Sequence, residues 1–138
     1  MKNIFLSLLV AFSLVATSCG NAQTSNQENS SQQQAKGTFS NVSVKQLNTA
    51  ITENPDVVVL DVRTPGELKG GYIENALNYN VNGAQFKSQV AGLNKSKTTY
   101  VYCRSGHRSQ AASRMLIDMG FTDVRNVEGG FIAWAQNG

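Results

Sequence analysis

The sequence predicts an α/β domain with a mainly parallel sheet and helices on both faces, preceded by a long segment that is not part of the core. Three observations lead there. Short β-branched and aromatic runs alternate with stretches of helical spacing, the pattern of strand–helix units. Val57-Val58-Val59-Leu60 is a continuous apolar run, as in a strand buried on both faces. Residues 1–38 read as a signal-like apolar start followed by a polar tract that has too little apolar surface to join a packed interior. The 138 residues bound the chain to one domain of modest size. A net charge of +3, with basic residues scattered, excludes a nucleic-acid footprint, which needs clustered Lys and Arg. Two cysteines and one histidine exclude a disulfide framework and a Cys- or His-rich metal site.

The leader divides into two parts. Lys2 precedes an apolar run, Ile4 to Val15, and small residues lead to Cys19, the layout of an export signal over residues 1–18. Ile4 to Ser18 is 15 residues, short of the ~20 that span a bilayer. The alternative is a buried core helix, which the polar tract that follows disfavours. From Gly20 to Gly37, five Gln, three Asn and three Ser leave too little apolar surface to offset ordering entropy. Residues 19–38 are thus read as a flexible tether, with a mean reach of roughly 25 Å. The folded domain is read as residues 39–138.

Within that domain each element has a reason. Ser43 can cap a helix bearing Val44, Leu47 and Ile51 on one face. Thr64-Pro65-Gly66-Glu67 has the layout of a capping box with Pro at the first helical position. Ala76 to Val81 and Thr98 to Cys103 read as strands, and Val124 with Val127 marks a weaker one. Ser109 to Met119 carries Ala112, Met115, Leu116 and Met119 at helical spacing, and Gly120 can end it. Ligands of parallel sheets bind beyond the carboxyl ends of the strands. Two segments fall there: Asp61-Val62-Arg63, and the loop Cys103-Arg104-Ser105-Gly106-His107-Arg108-Ser109.

That loop is built for an anion. Backbone N–H groups between a strand and a helix N-terminus can converge on one point, and the helix end adds positive potential. Gly106 permits a turn closed to other residues, and Arg104 and Arg108 add fixed charge. A Cys103 thiolate at its centre is stabilised and reactive near neutral pH. An inert, buried Cys103, or one in a disulfide with Cys19, is the bland alternative. His107 either steers anions at the rim or is merely solvated. Ser109 reads as a helix cap, Asp61 and Arg63 as an ion pair bracing the loop, and Phe131 and Trp134 as core.

Cys103-Arg104-Ser105-Gly106-x-Arg108-Ser109 resembles the active-site loop of rhodanese-family sulfurtransferases. Leu60-Asp61-Val62-Arg63 followed by Glu67, Gly71-x-Ile73 with Ala76-Leu77-Asn78, and Gly129-Gly130-Phe131-x-Ala133-Trp134 are similar to three further segments of that family, in order. Tyr72 stands where the family often has His, and Asn80 where Pro is common. The resemblance implies a five-stranded sheet and a persulfide carried on Cys103, with Arg104 to Ser109 binding the donor. It implies a small anionic sulfur donor such as thiosulfate, a thiol, protein or cyanide acceptor, and no metal or organic cofactor. A carrier that holds the persulfide without turnover is the alternative. A phosphatase or arsenate reductase of related fold is a further one, against which stands the loop length. Four residues separate Cys103 from Arg108, whereas the related phosphatases have five. The segment around Cys19 is similar to the lipobox of bacterial lipoproteins, with Ala16 where Leu is commonest. It implies lipidation at Cys19 and an exported protein held in the cell envelope. Ordinary cleavage after Ala22, giving a soluble periplasmic form, stays open. A monomer is expected.

Overall fold

Five short strands form one sheet in the order β1–β5–β4–β2–β3, and every pair is parallel. The computed structural model describes residues 37–137, so the export signal, Cys19 and most of the tether lie outside the described residues. The strands are β1 (Thr38–Val42), β2 (Val58–Asp61), β3 (Leu77–Asn78), β4 (Thr99–Tyr102) and β5 (Asp123–Val127). The helices are α1 (Val44–Glu53), α2 (Phe86–Ala91), α3 (His107–Asp118) and α4 (Gly130–Asn137), and a 3₁₀ segment runs over Pro65–Gly70.

The two-residue alternation of each strand splits the interior into two layers. Leu60, Val101 and Val124 face Phe86 and Val90 of α2 and Ala112 and Leu116 of α3. Val59, Tyr100, Tyr102 and Val127 face Val44 and Leu47 of α1, with Phe131, Ala133 and Trp134 of α4. Central strands covered on both faces explain why β2 and β4 read as nearly continuous apolar runs. Their register pairs Leu60 with Val101 and Asp61 with Tyr102.

Ser43 caps α1. Its hydroxyl accepts the Gln46 N–H at 3.2 Å, and the Gln46 side-chain Oε1 accepts the Ser43 N–H at 2.8 Å. Pro65 begins a 3₁₀ run rather than an α-helix, because Gly66, Gly70 and Gly71 give little helical propensity. The expected strand over Ala76–Val81 shrinks to Leu77–Asn78. The Asn78 side chain donates to the carbonyls of Asp61 and Arg63, and beyond it the Tyr79 and Val81 N–H groups still donate to the Asp61 and Val62 carbonyls, though not as a regular ladder. β1, with its polar Thr38, Ser40 and Asn41, and the short α2 carried no clear periodicity and were not foreseen.

From β2 the chain runs outward to β3, and from β4 it runs the other way to β5. The carboxyl ends of β2 and β4 therefore flank the point where the winding direction reverses, the usual crevice of a doubly wound sheet. Asp61 and Cys103 stand at that point.

Candidate active site

β4 delivers Cys103 fully buried at the end of a buried strand, immediately before the loop. Gly106 has φ +100°, a left-handed conformation that other residues adopt only with strain. This turn brings its own N–H back onto the sulfur, donating to Cys103 Sγ at 3.1 Å. It also starts α3 two residues earlier than the sequence suggests. Ser109 is thus not the cap; Gly106 holds that position, and Ser109 lies inside the first turn with its hydroxyl turned inward. That hydroxyl faces three acceptors: Asn126 Oδ1 at 2.7 Å, the Gly106 carbonyl at 3.0 Å and Cys103 Sγ at 3.5 Å.

Two effects compete at the thiol. Burial pushes it up, because a thiolate loses solvation. The Ser109 hydroxyl and the backbone around Ser109, Ser105 and Gly106 pull it down, and the net direction is below the ordinary thiol value. Among the described residues no carboxylate is hydrogen-bonded to the sulfur, and the chain's only histidine, His107, is exposed at the start of α3. His107 lines a shallow polar pocket of about 260 Å³ with Asn41, Ser105, Gln110, Asn126 and Glu128.

The arginines divide into three situations. Arg63 is buried and pairs with Asp61 at 2.6 Å, while its Nη2 also donates to the Gly71 carbonyl at 2.9 Å. Its guanidinium lies 4.2 Å from the centre of the Phe131 ring. The Phe131 and Ile132 N–H groups in turn donate to the Cys103 and Arg104 carbonyls at 2.8 and 3.1 Å. The Asp61–Arg63 pair thus reaches the loop through Phe131, not by direct contact. Gly130 makes this docking possible: a Cβ there would stand 2.3 Å from the Cys103 carbonyl oxygen. Phe131 is more than core filling, because it joins the two strand ends.

Arg108, expected on the donor anion, is already engaged. Its two terminal nitrogens grip Glu67 at 2.8 and 2.6 Å, a bidentate pair spanning the crevice. Arg108 holds the Glu67 carboxyl down to about 2, and Glu67 raises Arg108 in return. Glu67 also accepts from the Thr64 N–H and hydroxyl, so the 3₁₀ segment and the loop are tied together. Arg104 is exposed and, among the described residues, makes no salt bridge. It lines an apolar cleft of about 280 Å³ with Arg63, Glu67, Phe131 and Ile132. Ser105 is exposed at the tip of the loop.

Sequence reasoning missed Asn126, which carries no motif, and the Glu67–Arg108 pairing, whose partners are 41 positions apart. The carboxylate was visible as a helix-start signal and as part of the family-like segment after Arg63, not as the partner of Arg108. Among the described residues, no group of three or more His, Cys, Asp and Glu is placed to hold a metal.

A thiol lowered by backbone and hydroxyl donors at the carboxyl end of a parallel strand has the chemistry to act as a nucleophile toward an anion. Residues 43–137 match the family model described as a rhodanese-like domain. The chain belongs to that family, and its relatives put it broadly with the rhodanese-type sulfurtransferases. It is 35% identical to a sulfurtransferase of Allochromatium vinosum, over 67% of this chain and 84% of that one. It is 36% identical to the thiosulfate sulfurtransferase GlpE of Shewanella oneidensis, over 71% of this chain and 94% of that one. A rhodanese-related protein of Thermoplasma volcanium, known from a crystal structure, superposes with a TM-score of 0.62. The identity is 33%, covering 71% of this chain and 92% of that one.

Proposed function

We propose that this protein moves sulfane sulfur from thiosulfate or a similar anionic donor to a thiol or cyanide acceptor through a persulfide on Cys103. The Cys103 thiolate attacks the outer sulfur of thiosulfate. A new S–S bond forms, the old one breaks, and sulfite leaves with the electron pair. An acceptor thiolate then attacks the terminal sulfur of the persulfide, and Cys103 departs again as a thiolate. Each transfer is redox-neutral for the pair of reactants and needs no added cofactor. The Gly106 N–H at 3.1 Å from Cys103 Sγ carries this reading. It favours negative charge on the sulfur before attack and again when the sulfur departs.

The test is the mass of the Cys103-containing peptide after treating the full chain with thiosulfate, before and after cyanide. One added sulfur atom, removed by cyanide and absent in Cys103→Ser, is the expected result. No added sulfur, under conditions that load a known sulfurtransferase, overturns the proposal. The engagement of Arg108 by Glu67 favours one second reading, a persulfide carrier with weak grip on free thiosulfate. Loading without steady-state turnover identifies it.

A lipid on Cys19 and residence in the cell envelope complete the proposal, supported by the signal-like leader. Cys19→Ala is expected to move the protein from the membrane fraction to the soluble one. Unchanged fractionation rejects lipid anchoring.

A further inference from the structure

Asn126 is buried, 3% exposed, on the face of β5 that Val124 also occupies and beside its register partner Val101. Its strand neighbours Val101 and Val124 are apolar and fully buried, so the buried amide needs hydrogen-bond partners. It has two contacts. Ser109 Oγ lies 2.7 Å from Oδ1, and Nδ2 donates to Asn41 Oδ1 at 3.1 Å. In this orientation the single Ser109 proton has its shortest acceptor in Asn126, and the sulfur keeps the Gly106 N–H.

The two ends of an amide have nearly the same shape. Turned over, Asn126 offers Nδ2 to Ser109 Oγ and Oδ1 to Asn41, whose exposed side chain is free to turn with it. Asn41 then donates to Asn126, and Asn126 to Ser109. The Ser109 proton is then left with two acceptors, the Gly106 carbonyl at 3.0 Å and Cys103 Sγ at 3.5 Å, and negative charge on the sulfur draws it the more strongly.

We propose that Asn126 is a positioning residue, acting on Cys103 through the Ser109 hydroxyl: its amide orientation decides whether that proton points at the sulfur. The proposal rests on Cys103 as the reacting thiol of the function proposed above, yet it is tested without any sulfur transfer.

The experiment is the pH dependence of iodoacetamide alkylation of the full chain, followed on the Cys103 peptide. Ser109→Ala and Asn126→Leu are each expected to raise the pH of half-ionisation by about 1, a tenfold loss of thiolate below it. The double variant is expected to go no further than either single one. Asn126→Asp keeps the shape and, once ionised, can only accept from Ser109. It is expected to raise the profile more with Ser109 present than in a Ser109→Ala background. If Asn126→Leu does not fold, the aspartate pair decides alone. An unchanged profile in the Asn126 variants, or full additivity with Ser109→Ala, overturns the proposal. Persulfide formation is a separate measurement. Its absence beside the expected alkylation profiles would sink the sulfurtransferase reading and leave the role of Asn126 intact.

Discussion

The two turns that leave β2 and β4 both carry arginine beside a buried group, and they use it in opposite ways. After β2, Asp61 and Arg63 are buried and pair with each other; the Asp61 carboxylate accepts the Arg63 N–H at 2.9 Å and Nε at 3.0 Å. Charge there is closed, and its product is a rigid post against Gly71 and Phe131. After β4, the group at the centre is a thiol, and the guanidinium nearest to it, that of Arg108, is gripped by Glu67 rather than paired with the sulfur. The donors around it carry no formal charge: the Gly106 N–H points at it, and the Ser109 hydroxyl lies 3.5 Å away. A buried charge with its counterion in place is electrostatically spent, whereas partial charges aimed at a neutral, ionisable sulfur remain available for a charge that develops during reaction.

Asp61→Ala is the change that breaks this contrast most sharply. It strands a buried guanidinium and is expected to cost about 3–5 kcal/mol. For a domain of about 100 residues that is a fall in Tm of more than about 10 °C, read by circular dichroism. The Cys103 alkylation profile of the surviving folded fraction stays where it is. A large shift in that profile would mean that the two turns are electrically coupled.

Gly106→Ala acts on the other turn. A methyl there finds ordinary room, 3.4 Å from the Gly129 nitrogen, so the penalty is the left-handed backbone itself. Loss of about 1–2 kcal/mol in urea unfolding is expected, with a Cys103 thiol that ionises at higher pH. Equal destabilisation with an unmoved profile would remove the Gly106 N–H from the explanation.

Glu67→Gln tests the tie between the two turns. The folded carboxyl value, about 2, lies below its ordinary 4.5. Its contribution is therefore complete above 4.5 and lost as pH falls from 4.5 through 2. The variant is expected to lose stability at neutral pH and to show a flatter decline across that acid window. Freed from Glu67, Arg108 can turn its fork to the donor, and the thiosulfate KM is expected to drop about two- to fivefold, the worth of a partly exposed pair. An unchanged KM assigns Arg108 to holding the loop alone. Arg104→Ala is expected to give the smallest effect, a rise in KM of about twofold with Tm unmoved, because that side chain is exposed.

The sequence by itself determined everything carried by local pattern. The alternation of Val57–Leu60, Thr98–Cys103 and the helical face of Ala112 and Leu116 gave the parallel α/β sheet, which is all parallel in the structure. Ser43 located the start of α1, because a cap is a contact over three residues; its reciprocal partner Gln46 was added by the structure. Cys103, Gly106 and Ser109 were legible as one unit for the same reason: strand end, turn and helix start follow one another in the chain. The tertiary structure alone decided what that unit touches. Ser109 meets Asn126 because β5 lies beside β4, and Arg108 meets Glu67 because β4 lies beside β2. The Phe131 N–H meets the Cys103 carbonyl because Gly130 lets α4 approach the loop. Such contacts follow from strand order, and strand order is set by burying two apolar faces at once, a condition on the whole chain that no short stretch of it expresses.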